Sequence, residues 1–437
     1  MPRIHISNGK FYDEQNREIS LRGINVDAGA KNPATPDQPS HDPTSFFNGD
    51  SVSFVNRPFT LDEAPLHFAR LRSWGYTTIR WIFTWEALEH AGPGKFDDEF
   101  VDYTVACLRI AKKYEFMVIM DPHQDTWSRF SGGCGAPLWT FYACGLDPTK
   151  FAATEAALVQ NTWKPPHEFP KMIWATNYHR LACQVMFTLF WAGKVFAPWA
   201  IIDGKNIQDY LQDHFNGAIE RLCKGIAAAG DLLDEVVIGW ETMNEPNRGL
   251  IGIQDMAVVP KEQVLQKGTS PTAWQGILLG SGRACEVEVW EIGGMGPKKT
   301  GTTLVDPEGE SAWLTSNEHD IKYGFKRDPG WKIEECIWAQ HGIWDSKSDE
   351  LLKKDYFGTD SRNGSAIDYK YFTDHWFMDF FRSYRDTIRA IHKRAIIFLQ
   401  PPTLEIPPLV KGTADEDGNI AFAYHWYDGL TLMNKKW

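Results

Sequence analysis

The chain has no long apolar run, no paired-cysteine motif and no basic tract, and each absence removes a class of function. Its most apolar helical stretch, Tyr178–Gly193, is too short to span a bilayer and carries His179, Arg180 and Gln184. No early segment joins a basic start, an apolar run and a small-residue cleavage site, so no secretion signal is expected. The seven cysteines are an odd number and none sits at CxxC or other metal-like spacing. A protein of a reducing, cytoplasmic compartment follows, with no metal and no cofactor. A net charge of −12, with Lys and Arg scattered, argues against nucleic acid. There is no internal repeat and no low-complexity tract.

What is abundant is aromatic. Phe, Trp and Tyr make up 14% of the chain, and 19 residues are Trp. Such faces stack on sugar rings and flat apolar ligands, although many must simply fill a core. With 437 residues the chain is long enough for one large barrel with insertions, or two to three smaller domains.

Strand-like and helical stretches alternate. Ile4–Ile6, Asn8-Gly9 and Phe11–Tyr12 read as a hairpin suited to capping a barrel's bottom. Strands are expected at Ile19–Asn25, Thr77–Phe83, Phe116–Met120, Val236–Trp240, Ala395–Gln400 and Ile420–His425. Helices are expected at Leu61–Trp74, Asp97–Tyr114, Ile207–Ala228 and Thr373–Lys393. Alternation of this kind implies a parallel sheet, and the lack of a Gly-rich dinucleotide loop favours a (β/α)8 TIM barrel over a Rossmann sheet. Two spacings exceed plain crossovers, at about 128–200 and about 247–370. Both follow strand C-termini and are read as insertions shaping a pocket, with part of 297–365 the stretch most apt to be irregular.

Chemistry gathers at the strand ends. They carry Arg22, Asn25, Asp27 and Lys31, then Arg80, Trp85 and Glu86, then Asp121 to Asp125, then Asn244-Glu245, then His425, Trp426 and Tyr427. The stretch VVIGWETMNEP, residues 236–246, reads as a buried strand delivering a carboxylate at its C-terminal end. An amide beside an acid suits sugar chemistry, because it can bond a ring hydroxyl while the carboxyl protonates the leaving oxygen. Alone, the triplet also suits a helix start, with Asn244 as N-cap and Pro246 in the first turn.

The ordered set LRGIN, IRWIFTWE, DPHQD, NEP and HWY resembles glycoside hydrolase family 5, a retaining (β/α)8 family. The HQD segment followed by Trp127 and Ser128 is similar to its endoglycoceramidase-related branch. The aromatic insertion looks most like the fungal members that remove glucose from steryl glucosides, a close relative of which cleaves glucosylceramide. The resemblance implies a β-glucosidase acting on a lipid glucoside, steryl before ceramide, peripheral to membranes or vacuole-associated. A β-glucanase and a non-catalytic carbohydrate- or lipid-binding protein are the rival readings. The resemblance also implies that Glu245 is the general acid/base and that Asn244 binds the hydroxyl next to the anomeric carbon. His123, Asp125 and Lys31 would bind the far hydroxyls, Arg80 would position the carboxylates, and His425 and Tyr427 would sit near the nucleophile.

The family's nucleophile is a Glu on the seventh strand, and no strand-Glu motif follows Tyr427. Residues 1–437 are therefore expected to be the N-terminal part of the barrel. The nucleophile, strands seven and eight and a C-terminal β-sandwich would lie beyond 437, in the remaining part of the same enzyme. Glu405, Asp428, Glu241 and Glu86 are the in-chain alternatives, with Glu241 and Glu86 better read as supporting groups. Residues 128–200 are expected to wall the aglycone site, through Trp127, Phe130, Leu138, Trp139, Phe141, Tyr142, Met186, Phe187, Phe190 and Trp191.

Overall fold

Six short strands position everything that follows. A computed structural model describes residues 4–429 apart from Ser40 and Met295, together with Thr431. In it β1 (Gly23–Asn25), β2 (Thr78–Phe83), β3 (Met117–Pro122), β4 (Val237–Glu241), β5 (Ile396–Leu399) and β6 (Ile420–Phe422) form one sheet. They pair in chain order and every pair is parallel, the strand order of a (β/α) barrel. The crossovers hold α1 (Ala64–Ser73), α2 (Asp98–Lys113), α3 (Leu181–Phe196), α4 (Ile207–Ala228) and α5 (Met378–Ile391).

Local chemistry explains these elements. Asp97 caps α2 by accepting from Phe100 N, Asp98 and Glu99 lie in its first turn, and Lys112 and Lys113 close it. Phe100, Thr104, Cys107, Leu108 and Ala111 recur at helical spacing and are buried. On β2, Ile79, Trp81 and Phe83 join the large core beneath the helices, so the period-two pleat turns Arg80 to the opposite, inner face. Register sets Arg80 beside Ile119, and Ile82 beside Asp121. Gly239 allows close approach of β4 and β5, since a Cβ there would lie 2.1 Å from the Ile396 carbonyl oxygen.

The expected hairpin forms, with His5 opposite Tyr12 and Asn8 and Gly9 at φ 48° and 73°. Its Ile4, Ile6 and Phe11 pack on Ile238, Ile396 and Phe398, which closes one end of the sheet.

One expectation needs correction. The ten aromatic and apolar residues named for a wall in 128–200 do not line the cavity beside Glu245, although Trp174 of the same insertion does. All ten residues named for that wall are buried, with Leu138 1% and Phe187 0% exposed. A helix apolar on every face must be covered on every face. Accordingly α3 lies under its neighbours, Phe187 and Phe190 meeting Trp127 at 5.3 and 5.5 Å between ring centroids, and Trp191 meeting Phe380 at 5.2 Å. The start of 297–365 is regular, because Gly296–Val305 pairs with Cys285–Gly293 in a long antiparallel hairpin.

Burial without a ligand role has a measurable consequence. Phe187→Ala should cost about 3–5 kcal/mol, the usual range for emptying an aromatic core site. A urea midpoint unchanged from wild type would contradict this placement.

Candidate active site

Glu245 lies just past the end of β4, in a turn whose geometry is set by amides. Asn244 N donates to the Pro122 carbonyl at 3.2 Å, which ties the turn to the end of β3. Gln124 Nε2 donates to the carbonyls of Asn244 and Glu245 at 2.6 and 2.9 Å, and Asn244 Nδ2 donates back to Gln124 O at 2.8 Å. These bonds hold Glu245 at φ 41°, a left-handed conformation that a non-glycine residue keeps only under such restraint. No helix starts at Asn244, so the capping alternative fails.

The Glu245 carboxylate receives two side chains from the segment after β6. His425 Nδ1 and Tyr427 Oη donate to Oε1 at 2.7 and 2.6 Å. Burial works against the charge, but these two bonds outweigh it and hold Glu245 below the ordinary carboxylate range. The resemblance implies that His425 and Tyr427 sit near the nucleophile. In this structure both contact Glu245 itself and favour its ionised form. Trp426 points away, 79% exposed.

Arg80 binds the strand ends together. Nε donates to both oxygens of Glu241 at 2.9 and 3.0 Å, Nη2 donates to Glu241 and, at 3.0 Å, to Asn244 Oδ1, and Nη1 lies 3.0 Å from Asp121 Oδ2. Each of its three nitrogens therefore meets a protein partner, and it shapes the site. Burial opposes the charge on Asp121, but Arg80 and His123 outweigh it and hold this group below its ordinary value. Burial and the charge of Asp121 push Glu241 upward, against the pull of Arg80. The pair thus takes one proton more readily on Glu241 than on Asp121.

The chain of contacts continues outward. His123 Nδ1 lies 2.7 Å from Asp121 Oδ2, and His123 Nε2 lies 3.2 Å from Asp125 Oδ2. Burial disfavours the imidazolium, yet the two aspartates outweigh it and raise His123 above its ordinary value. Lys31 Nζ donates to the same Asp125 Oδ2 at 2.7 Å. Lys31 arrives there because Asp27 caps the short helix Ala28–Lys31, accepting from Gly29 N at 2.6 Å. Burial opposes the Asp125 charge, but His123 and Lys31 hold its carboxyl far below the usual range. His123, Asp125 and Cys134 bring their donor atoms within 4.8 Å of one another. That set suits a soft divalent cation in principle, but the Lys31 ammonium already sits on Asp125.

On the other side of Glu245 opens a cavity of about 360 Å³. Trp174, Ile253, Val264, Leu265 and Leu404 give it apolar walls, and Arg248, Glu262 and Glu405 give it a polar end. Arg248 is paired with Glu262 at 2.5 Å and lies over the Tyr369 ring.

No family model matches the chain. Curated proteins do. It is 60% identical over 435 residues to a glucosylceramidase of Aspergillus fumigatus, a match that spans all of this chain and 57% of that protein. It is 44% identical over 460 residues to the ergosteryl-beta-glucosidase of Saccharomyces cerevisiae, spanning all of this chain and 59% of that protein. The backbone matches a crystal structure of Cryptococcus neoformans sterylglucosidase 1 with tris at a TM-score of 0.94 and 47% identity, covering 99% of this chain and 61% of that one. The chain is a homologue of these fungal proteins. It spans about three fifths of the length of the relatives it matches.

Most of the expected residues converge. Lys31, Arg80, His123, Asp125 and Asn244 form one polar group through Asp121, and Gln124 ties it to the backbone of Glu245, whose carboxylate holds His425 and Tyr427. Arg22 lies over Tyr76, Trp85 is in the core, and Glu86 is bound by Arg129 Nε at 2.9 and 3.0 Å. Sequence reasoning gave no role to Asp121, Gln124 or Cys134. Asp121 and Gln124 lie inside the DPHQD segment, so their neighbourhood was visible and only their partners were not.

The depressed Asp125 carboxyl has a pH signature. A group whose folded pKa lies below its unfolded value stabilises the fold above the unfolded pKa, about 4, and that contribution is lost as pH falls toward the folded value. Between about pH 5 and about pH 2.5 the urea midpoint of the wild type should therefore fall further than that of Asp125→Asn. Parallel curves would show that Asp125 is not held ionised.

Proposed function

We propose that the chain carries the acid/base half of a retaining β-glucosidase that hydrolyses lipid glucosides, with steryl glucoside the preferred substrate. The observation that carries this reading is the position of Glu245 between a hydroxyl-binding corner and a cavity with apolar walls. Glucose occupies the corner of Lys31, His123 and Asp125. The bond to be cut lies over Glu245, and the aglycone enters the cavity past Trp174, Val264 and Leu404. A sterol buried there gains several kcal/mol at roughly 25 cal/mol per Å² of apolar surface.

Double displacement needs a second carboxyl about 5–5.5 Å from the first. Glu241 and Glu86 are each held by an arginine, and Asp428 accepts from Thr431, so none is free to attack. Glu405 lines the same cavity, within the electrostatic reach of Arg248 and Glu262. The nucleophile is accordingly assigned to a Glu outside residues 1–437 of the longer enzyme. A carboxylate so close raises Glu245 by like-charge repulsion and loads it with the proton it gives to the leaving oxygen. Once that carboxylate is esterified by the sugar the repulsion ends. His425 and Tyr427 then favour the ionised Glu245 that deprotonates water.

In the full-length enzyme, Glu245→Gln should keep the fold and lose most turnover on steryl glucoside. It should lose less in the first step on a glucoside with a good leaving group, and azide should restore part of the second step. Near-normal hydrolysis of the natural glycoside by this variant would remove Glu245 from the role. Leu404→Ala and Val264→Ala alter exposed cavity residues, 73% and 66% accessible. They should raise KM severalfold for the lipid glucoside and leave a small aryl glucoside unchanged. Equal effects on both substrates would place the aglycone elsewhere.

Glucosylceramide is the second reading, favoured by the polar end at Arg248 and Glu262, which can meet an amide or hydroxyl that a sterol lacks. Side-by-side glucose release from steryl glucoside, glucosylceramide and a cello-oligosaccharide separates these readings and the glucanase alternative. A protein that binds all three and cleaves none is a binding protein.

A further inference from the structure

The stretch Ser131–Ala136, sequence SGGCGA, leaves the short 3-10 helix Arg129–Ser131 and lies outside the six-stranded sheet, yet it is laced to the hydroxyl-binding corner. Cys134 N donates to Asp125 O and Asp125 N donates to Cys134 O, both at 3.0 Å, an isolated antiparallel bridge. Ser131 Oγ donates to Thr126 O at 2.6 Å, and Ala136 N donates to Trp127 O at 2.7 Å. Gly133 permits this contact, because a Cβ there would fall 1.8 Å from Asp125 O. Such close approach of two backbones is the reason for glycine at that position. The bridge brings the Cys134 thiol, 1% exposed, to 3.4 Å from Asp125 Oδ2.

We infer that Cys134 is a positioning residue for glucose recognition, its S–H donating to Asp125 Oδ2 so that Oδ1 is the oxygen presented to a sugar hydroxyl. Oδ2 already takes Lys31 Nζ at 2.7 Å and His123 Nε2 at 3.2 Å, and the thiol is its third donor. Among the described residues no protein donor is recorded on Oδ1, and the Asp125 side chain is 34% exposed. Three donors from three directions fix the carboxylate's rotation. A carboxylate so fixed discriminates against a missing or inverted hydroxyl more sharply than one free to turn. Burial and the neighbouring Asp125 charge push the thiol well above its ordinary pKa, which keeps it the donor in the pair. The inference rests on the proposed glucosidase reading, in which Asp125 binds the sugar.

The test is a double-mutant cycle in the full-length enzyme, with Cys134→Ala, Cys134→Ser and Asp125→Asn. Cys134→Ala should lower kcat/KM for a β-glucoside about tenfold, mainly through KM, the cost expected for a lost hydrogen bond to a charged group. Cys134→Ser keeps a donor and should recover most of that loss. In the Asp125→Asn background Cys134→Ala should add little, because the partner is already gone. The S–H stretching band assigned by difference against Cys134→Ser should lie at the frequency of a bonded thiol and shift back in Asp125→Asn, whatever the activity. If Asp125→Asn itself leaves glucoside hydrolysis intact, the functional reading fails. If Asp125→Asn impairs hydrolysis while Cys134→Ala does not, this inference fails alone. Equal, additive losses for Cys134→Ala and Cys134→Ser, with a lowered melting temperature and no band shift, would show a packing role and overturn it.

Discussion

One buried guanidinium holds the site together. Arg80 sits on the inner face of β2 and meets Asp121 on β3, Glu241 on β4 and Asn244 beyond it. Charges with this little exposure persist only when paired and hydrogen-bonded. Remove the guanidinium and two carboxyls would face each other in the sheet interior without compensation. The strand ends are therefore not independent supports for separate functional groups. They are parts of a single electrostatic arrangement, and its geometry decides where Glu245 and His123 can be.

From Arg80 the arrangement runs in two directions. Outward, Asp121 orients His123, which meets Asp125, which meets Lys31, so a group on β1's short helix is tied through β3 to the centre. Toward Glu245, Asn244 joins Arg80 to Gln124, and Gln124 grips the carbonyls of the turn. Carboxyls of similar intrinsic acidity are thereby driven apart. Glu241 is pushed up by burial and by Asp121, whereas Asp125 is pulled down by His123 and Lys31 despite burial. Environment rather than residue type assigns protons here.

The aromatic insertion supports the site at one remove. Its Trp and Phe side chains fill the space between the loop after β3 and helix α5, and Trp127 is gripped from both sides, its N–H donating to Thr140 and its backbone N–H to Gln124. Rigidity of that layer fixes the loop that carries His123, Gln124 and Asp125. The cavity walls come from less regular stretches, around Trp174 in the insertion itself and around Val264 and Leu404 outside it, where apolar side chains lie open. Tightly packed aromatics hold the polar corner still, and exposed ones are left for a ligand.

The alternation of strands with helices, the Asn-Gly hairpin and the clustering of polar residues after strands were all legible in the residues, because local periodicity and turn chemistry act over a few positions. So was the identity of nearly every member of the site, since strand C-termini in such a sheet converge on one face. Partners were not legible. Whether His425 and Tyr427 would meet Glu245 or another carboxyl depends on contacts about 180 positions apart, at 2.7 and 2.6 Å. Whether Phe187 and Leu138 would line a ligand site or a core depends on what covers α3, and a uniformly apolar helix looks the same in either case. Cys134 had no signal at all, for its role exists only through a backbone bridge that a glycine makes possible. The sequence by itself determined the elements and the chemical inventory, because these follow from short-range propensity and composition. Only the tertiary structure decided protonation, pairing and exposure, because each is set by groups brought close from distant parts of the chain.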